Sequence, residues 1–168
     1  MARYYFEDFK VGDAWDLGSW SVSREEMLAF AREYDPQPIH LDEAIAARTP
    51  YGGVIVSGWL TVLKSVRLFV DGIMGHTAGL ASPGLDEVRW LKPVRAGDVI
   101  RVRVEVTEVA ESKSRPDRGR VHFVISGVDA AGERVAYAKG PFFVARRSSS
   151  DAPSPPGGGE GGVRGTQP

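Results

Sequence analysis

The 168-residue sequence has no cysteine and only three histidines, His40, His76 and His122. The missing thiols exclude disulfides, thiolate nucleophiles, iron-sulfur clusters and cysteine-ligated zinc together, and nothing in the chain asks for an oxidising compartment. An excess of either charge is lacking too. Lys and Arg number 21 against 22 Asp and Glu, a formal charge of -1, so there is no basic field on which nucleic-acid or anionic-membrane binding could rest. No apolar run approaches the roughly 20 residues of a membrane helix. Met1 to Lys10 is aromatic and acidic, without the apolar core of a secretory signal, and a cytoplasmic location is the expectation. The remaining balance, 42% hydrophobic and 26% charged, is that of one soluble globular domain.

That domain is expected over residues 1–147. From Ser148 onward Ser, Pro and Gly dominate, a composition that cannot bury enough surface to offset the entropy of ordering, so 148–168 is expected to be a disordered tail.

Ser23 and Glu26 have the spacing of a capping box, with Val22 and Met27 able to close a hydrophobic staple across it. Met27, Phe30, Ala31 and Tyr34 then recur at helical spacing, predicting one buried stripe that breaks at Asp35-Pro36. The helix therefore delivers Asp35 at its C-terminal end. A second short helix is expected from Leu41 to Ala47, after a connection stiffened by Pro36 and Pro38. Ile55 to Val70 is apolar on nearly every face, which predicts a helix buried all round, opened by Tyr51-Gly52-Gly53 and stopped at Asp71-Gly72.

Beyond it the pattern changes to that of strands: Leu85 to Leu91, Val99 to Val109, Val121 to Val128 and Arg134 to Val144, with another around Ala14 to Val22. Ile100, Val102, Val104 and Val106 alternate with Arg101, Arg103 and Glu105, the period of a sheet with one dry face. Asp129 to Gly132 reads as a hairpin turn and Lys113 to Gly119 as a longer charged loop. The architecture predicted is α+β, an antiparallel sheet of five or six strands curled round one buried helix.

Among groups able to do chemistry, His40 stands out. His76 lies in a glycine-flanked connection and His122 opens a strand, neither with a carboxylate near it in a stiff local frame, so both are read as structural. Asp35 and His40, five residues apart across two prolines, can aim a carboxylate and an imidazole at one point and hold a water between acid and base. The competing reading makes each a helix cap. Asp35, His40 and Asp42 are also possible metal ligands, but a facial triad would need a second histidine from far away, and no metal is expected. Ser57 lacks the Gly-x-Ser-x-Gly elbow of a serine nucleophile and is read as part of a helix start. Gly52, Gly53 and Gly58 have neither the spacing nor the Lys-Ser/Thr ending of a phosphate loop, and no nucleotide-cofactor fingerprint is present. The glycines at the head of the long helix would let a ligand oxygen approach first-turn N–H groups, which have no intrahelical partners and point along a positive dipole. Turn and packing roles are the alternative.

Tyr34-Asp35-Pro36-Gln37-Pro38-Ile39-His40 followed by Ala46 resembles the signature of the MaoC-like dehydratases, the group containing the (R)-specific enoyl-CoA hydratases. Tyr5 to Phe9 with Val11-Gly12-Asp13 resembles that family's opening, Gly53 to Gly58 the lead into its central helix, and Leu91 to Val94 with Ala96-Gly97-Asp98 its sheet segment. The likeness spans roughly Tyr4 to Ala145. Gln37 stands where the family most often has Asn, and Ser57 where it commonly has His.

The resemblance implies a hot-dog fold, a long helix wrapped by an antiparallel sheet, and a homodimer or dimer-based oligomer built by edge pairing. It further implies that Asp35 and His40 activate a water for addition to a trans-2-enoyl thioester. The Gly58 N–H would bond the thioester oxygen, with no metal and no cofactor. Pro38, Ser57 and Trp59 are expected to meet the substrate, an acyl-CoA or acyl-carrier-protein thioester, although core packing is the favoured alternative for Trp59. Arg89, Lys92 and Arg95 are each candidates for phosphate contacts or solvated charges. Thioester hydrolysis and a non-catalytic acyl-binding subunit are the rival readings.

Overall fold

The computed structural model describes residues 2–148; the segment expected to be a disordered tail lies, from residue 149 on, outside them. The chain begins with a 3-10 turn at Phe6–Asp8. Strand β1 (Ala14–Trp20) follows, then helices α1 (Arg24–Tyr34), α2 (Pro38–Leu41), α3 (Glu43–Ala46) and α4 (Gly58–Gly72). Five further strands complete it: β2 (Gly79–Ala81), β3 (Glu87–Trp90), β4 (Ile100–Glu111), β5 (Arg118–Val128) and β6 (Arg134–Ala145).

All strand pairs are antiparallel, in the order β1-β4-β5-β6, with β2 and β3 both pairing with β6. Ile100, Val102, Val104 and Val106 are fully buried on β4 while Arg101, Arg103 and Glu105 are exposed, as the alternation predicts. Phe123 on β5 packs against Phe69 of α4 at 5.0 Å between ring centres and against Phe9 at 5.5 Å. This joins the sheet's dry face to the helix and to the N-terminal segment. The result is an α+β hot-dog fold with six strands round one long helix. Gly12 and Gly97, both at positive φ (92° and 88°), make the two turns that feed strands; their N–H groups bond Val106 O and Val22 O, conformations that a side chain would strain.

The Ser23 cap is formed, its Oγ accepting from Glu26 N at 3.1 Å, and Val22 and Met27 are both buried. Four expectations are corrected. Tyr34 is 67% exposed, so the buried stripe of α1 rests on Met27 and Ala31. The expected second helix is two, because Asp42 leaves helical geometry and accepts from Ile45 N to cap α3. The long helix starts at Gly58 rather than Ile55. The N–H groups of Ile55 and Val56 are committed to Ile39 O and Val94 O, and Ser57 is the N-cap. Nor is this helix covered all round: Trp59, Leu63 and Val70, one stripe at spacings of four and seven, are 53%, 52% and 42% exposed. The short strand β2 was not expected at all; three residues are too few for a periodic signal.

Among the described residues no helix is long and apolar enough to cross a membrane.

Candidate active site

Asp35 follows the last turn of α1, its N–H still bonded to Ala31 O, in a conformation (φ -149°, ψ 65°) that turns the chain away from the helix axis. Pro38 occupies the first turn of α2, where its missing N–H costs nothing, and Gln37 O accepts from His40 N at 2.9 Å. Residues 54–57 run past this connection toward α4, with Ile55 N bonded to Ile39 O. The Ile55 carbonyl lies 2.9 Å from His40 Nδ1. A carbonyl can only accept, so Nδ1 carries a proton and Nε2 is the nitrogen left to face the carboxylate. That nitrogen stands 3.3 Å from Asp35 Oδ2, with both side chains largely buried.

The same carboxylate is held from two other directions. Ser57 Oγ donates to Oδ2 at 2.6 Å and Gln37 Nε2 to Oδ1 at 2.7 Å. Burial works to raise the Asp35 pKa. The hydrogen bonds from Gln37 and Ser57, and beyond them the charge of His40, outweigh it and hold the carboxyl below its ordinary range. Because the folded value lies below the unfolded one, Asp35 contributes stability at pH above the ordinary carboxylate range. That contribution is lost as pH falls through the folded value.

Asp35 and His40 open onto a cleft of about 300 Å³ walled by Gly58, Trp59, Trp90 and Val94. At its floor is the first turn of α4. Trp59 N is taken by Ser57 Oγ and Thr61 N by Ser57 O, whereas Gly58 N–H has no acceptor among the described residues. A proton-accepting carboxylate, an imidazole nitrogen and an unpaired N–H at a helix's positive end thus share one cavity. Such a set can move protons at a carbon skeleton while an adjacent oxygen gains charge.

Of the residues expected to meet a ligand, Asp35, His40, Gly58 and Trp59 come together at this cleft. Trp59 lies on its wall and not in the core. Ser57 is fully buried, and its hydroxyl serves Asp35 and the helix cap. Pro38 is exposed and away from the cavity lining. Asp42 is spent as the α3 cap. Of the three basic candidates only Lys92 lines the cleft, paired with Asp129 and Glu133. Arg89 pairs with Glu87, and Arg95 donates to the carbonyls of Tyr51 and Val54. His122, expected to lack a nearby carboxylate, lies between Asp86 (3.3 Å) and Glu108 (3.6 Å) on the outer side of the sheet, because tertiary pairing brings β4 and the turn before β3 to it. Gln37 and Trp90 were missed. Gln37 sits inside the motif, and its partner is two residues away, so local spacing could have found it. Nothing in the sequence places Trp90 opposite Gly58.

The profile of the MaoC like domain matches residues 10–126, and the chain belongs to that family. It is 34% identical over 118 residues to a 3-hydroxybutyryl-CoA dehydratase of Methylorubrum extorquens, covering 66% of this chain and 69% of that one. Among solved structures it resembles a MaoC-like dehydratase from Rhodospirillum rubrum, with a TM-score of 0.79 and 37% identity over 86% of this chain and 98% of that one. It also resembles an (R)-hydratase from A. caviae involved in PHA biosynthesis, with a TM-score of 0.59 and 26% identity over 81% and 97%.

If the two donors hold Asp35 ionised, removing either raises its titration point. Carbon-detected NMR of the Asp35 carboxyl should show an upward move in Gln37→Leu, and in Ser57→Ala an upward move together with a loss of about 0.5–2 kcal/mol of stability from the lost cap. An unchanged Asp35 titration in both variants would contradict this account of the site.

Proposed function

We propose that this protein is a hydro-lyase that interconverts trans-2-enoyl and (3R)-3-hydroxyacyl thioesters, with CoA as the thiol. The observation that carries the reading is the Asp35–His40 pair, locked by Ile55 O, Ser57 and Gln37 and facing the same cavity as the unpaired Gly58 N–H. The CoA thioester class is that named for the Methylorubrum relative.

In the hydration direction a water held by Asp35 and His40 Nε2 adds its oxygen to C3 of the enoyl thioester. The pair takes one proton from that water, and one proton is delivered to C2 from the same face, so the product differs from substrate by one water. Electron density moves from the C2–C3 double bond onto the thioester oxygen as the C3–O bond forms, and the Gly58 N–H stabilises that oxygen. The thioester is its own electron sink, so two proton-transfer groups and an oxyanion donor form a sufficient set. At 3.3 Å the two groups are close enough to hold one water between them, and the reading assigns the proton transfers to the pair. Trp59 and Trp90, whose rings meet edge to face at 5.1 Å, wall the space for the acyl chain.

The dimer implied by the resemblance has a physical basis here. Strand β3 is an edge of four residues, and the uncovered α4 stripe of Trp59, Leu63 and Val70 runs along the same molecule with Trp90 and Leu91 exposed beside it. A second copy pairing with that edge and covering that stripe would satisfy both. Light scattering at micromolar concentration should report a dimer or a multiple of it, and Leu63→Glu should shift it toward monomer. A monomeric parent protein would refute this assembly.

With trans-2-butenoyl-CoA as substrate, Asp35→Asn and His40→Ala should each lower kcat on the order of 10² to 10⁴-fold with the fold retained. The double variant should be little worse than the worse single one, because both groups act on one water. Full activity in either single variant, or release of free CoA without a hydroxyacyl product, would overturn the mechanism; the second result would point to thioester hydrolysis.

A further inference from the structure

Gly58 is tightly constrained by one neighbour, the indole of Trp90 on β3. A methyl group placed on Gly58 would come within 2.5 Å of Trp90 Nε1, 2.7 Å of Cε2 and 2.8 Å of Cδ1. The near-equal distances to Nε1 and to both of its ring neighbours put the nitrogen end of the pyrrole face over Gly58, so the N–H runs alongside the Gly58 backbone and does not point into it. Covalent geometry then puts Trp90 Nε1 within about 5 Å of Gly58 N. Two donors at that separation can reach one oxygen at ordinary hydrogen-bond lengths of about 2.9 Å each.

Both donors also lack protein acceptors. Neither Gly58 N–H nor Trp90 Nε1–H bonds any described residue, whereas Trp20 Nε1 in the core donates to Ser65 Oγ at 3.1 Å. Both line the cleft that holds Asp35 and His40. The indole is fixed in place by Trp59, set edge to face against it at 80°. Its strand is held by the pairing of Trp90 with Ala136.

We propose that Trp90 Nε1–H is a second donor to the thioester oxygen, acting beside Gly58 N–H so that the developing enolate is held by a backbone and an indole donor together. The proposal rests on the thioester reading above and deepens it. It gives a chemical reason for a tryptophan at this point in the wall: an apolar lining would need only ring surface, while a two-donor clamp needs the N–H. A Cβ at position 58 would displace the indole and the donor with it.

Trp90→Phe removes the donor and keeps an aromatic, though smaller, wall, and Trp90→His separates the two effects because it is smaller still but restores a ring N–H. In hydration of trans-2-butenoyl-CoA it should lower kcat on the order of 10²-fold with KM nearly unchanged, because the lost bond strengthens as charge develops on the oxygen. Trp90→His, which restores a ring N–H, should recover part of the loss. Without turnover, Raman difference spectra of bound butanoyl-CoA should show the carbonyl stretch lowered by the parent protein and partly restored to the free value by Trp90→Phe. Parent-like kcat and carbonyl stretch in Trp90→Phe would reduce Trp90 to a wall and overturn the proposal, as would a loss in KM alone. A parent protein that polarises the carbonyl through Trp90 yet adds no water would refute the hydratase reading and leave the two-donor clamp standing.

Discussion

The bond between His40 Nδ1 and the Ile55 carbonyl is the constraint from which the site follows. It selects the tautomer, turns Nε2 toward Asp35, and ties the short helix α2 to the segment leading into α4. The backbone bond from Ile55 N to Ile39 O makes this a double clasp, and Val56 N to Val94 O carries it on to the far wall of the cleft. Two pieces of chain 15 residues apart thereby become one rigid frame. The carboxylate, the imidazole and the helix terminus take their spacing from these hydrogen bonds.

A second consequence concerns charge. Asp35 receives hydrogen bonds from Gln37 and Ser57, and Ser57 also begins α4. The residue that starts the helix thus steadies the carboxylate, while the next residue, Gly58, offers its N–H to the cavity. Helix start and the Asp35–His40 pair are linked through one hydroxyl, which stands between the first turn of α4 and the carboxylate. An electrophilic carbonyl placed between them meets a proton acceptor on one side and hydrogen-bond donors on the other.

Much of this was legible in the sequence where local rules govern. The Ser23 cap, the break at Asp35-Pro36, the alternation on β4 and the Asp35 to His40 frame all depend on neighbours within a few residues, and all stand in the structure. Errors came where distant partners decide. Ile55 and Val56 look helical by pattern, yet Ile39 and Val94 claim their N–H groups. Trp59, Leu63 and Val70 look like core, yet no described element covers them. His122 looked isolated until strand pairing brought Glu108 beside it and the chain before β3 supplied Asp86. Trp90 carried no signal because its significance lies wholly in touching Gly58, 32 positions earlier in the chain.

The central claim is that a single pair, Asp35 and His40, handles both protons from one side of the substrate. Hydration of trans-2-butenoyl-CoA in deuterium oxide tests it most directly, with the relative configuration at C2 and C3 of the product read from the proton-proton coupling across that bond. One diastereomer is expected, with deuterium at C2 and the hydroxyl at C3 added to the same face and the 3R configuration at the carbinol. Addition to opposite faces, an equal mixture at C2 or a 3S product would contradict it.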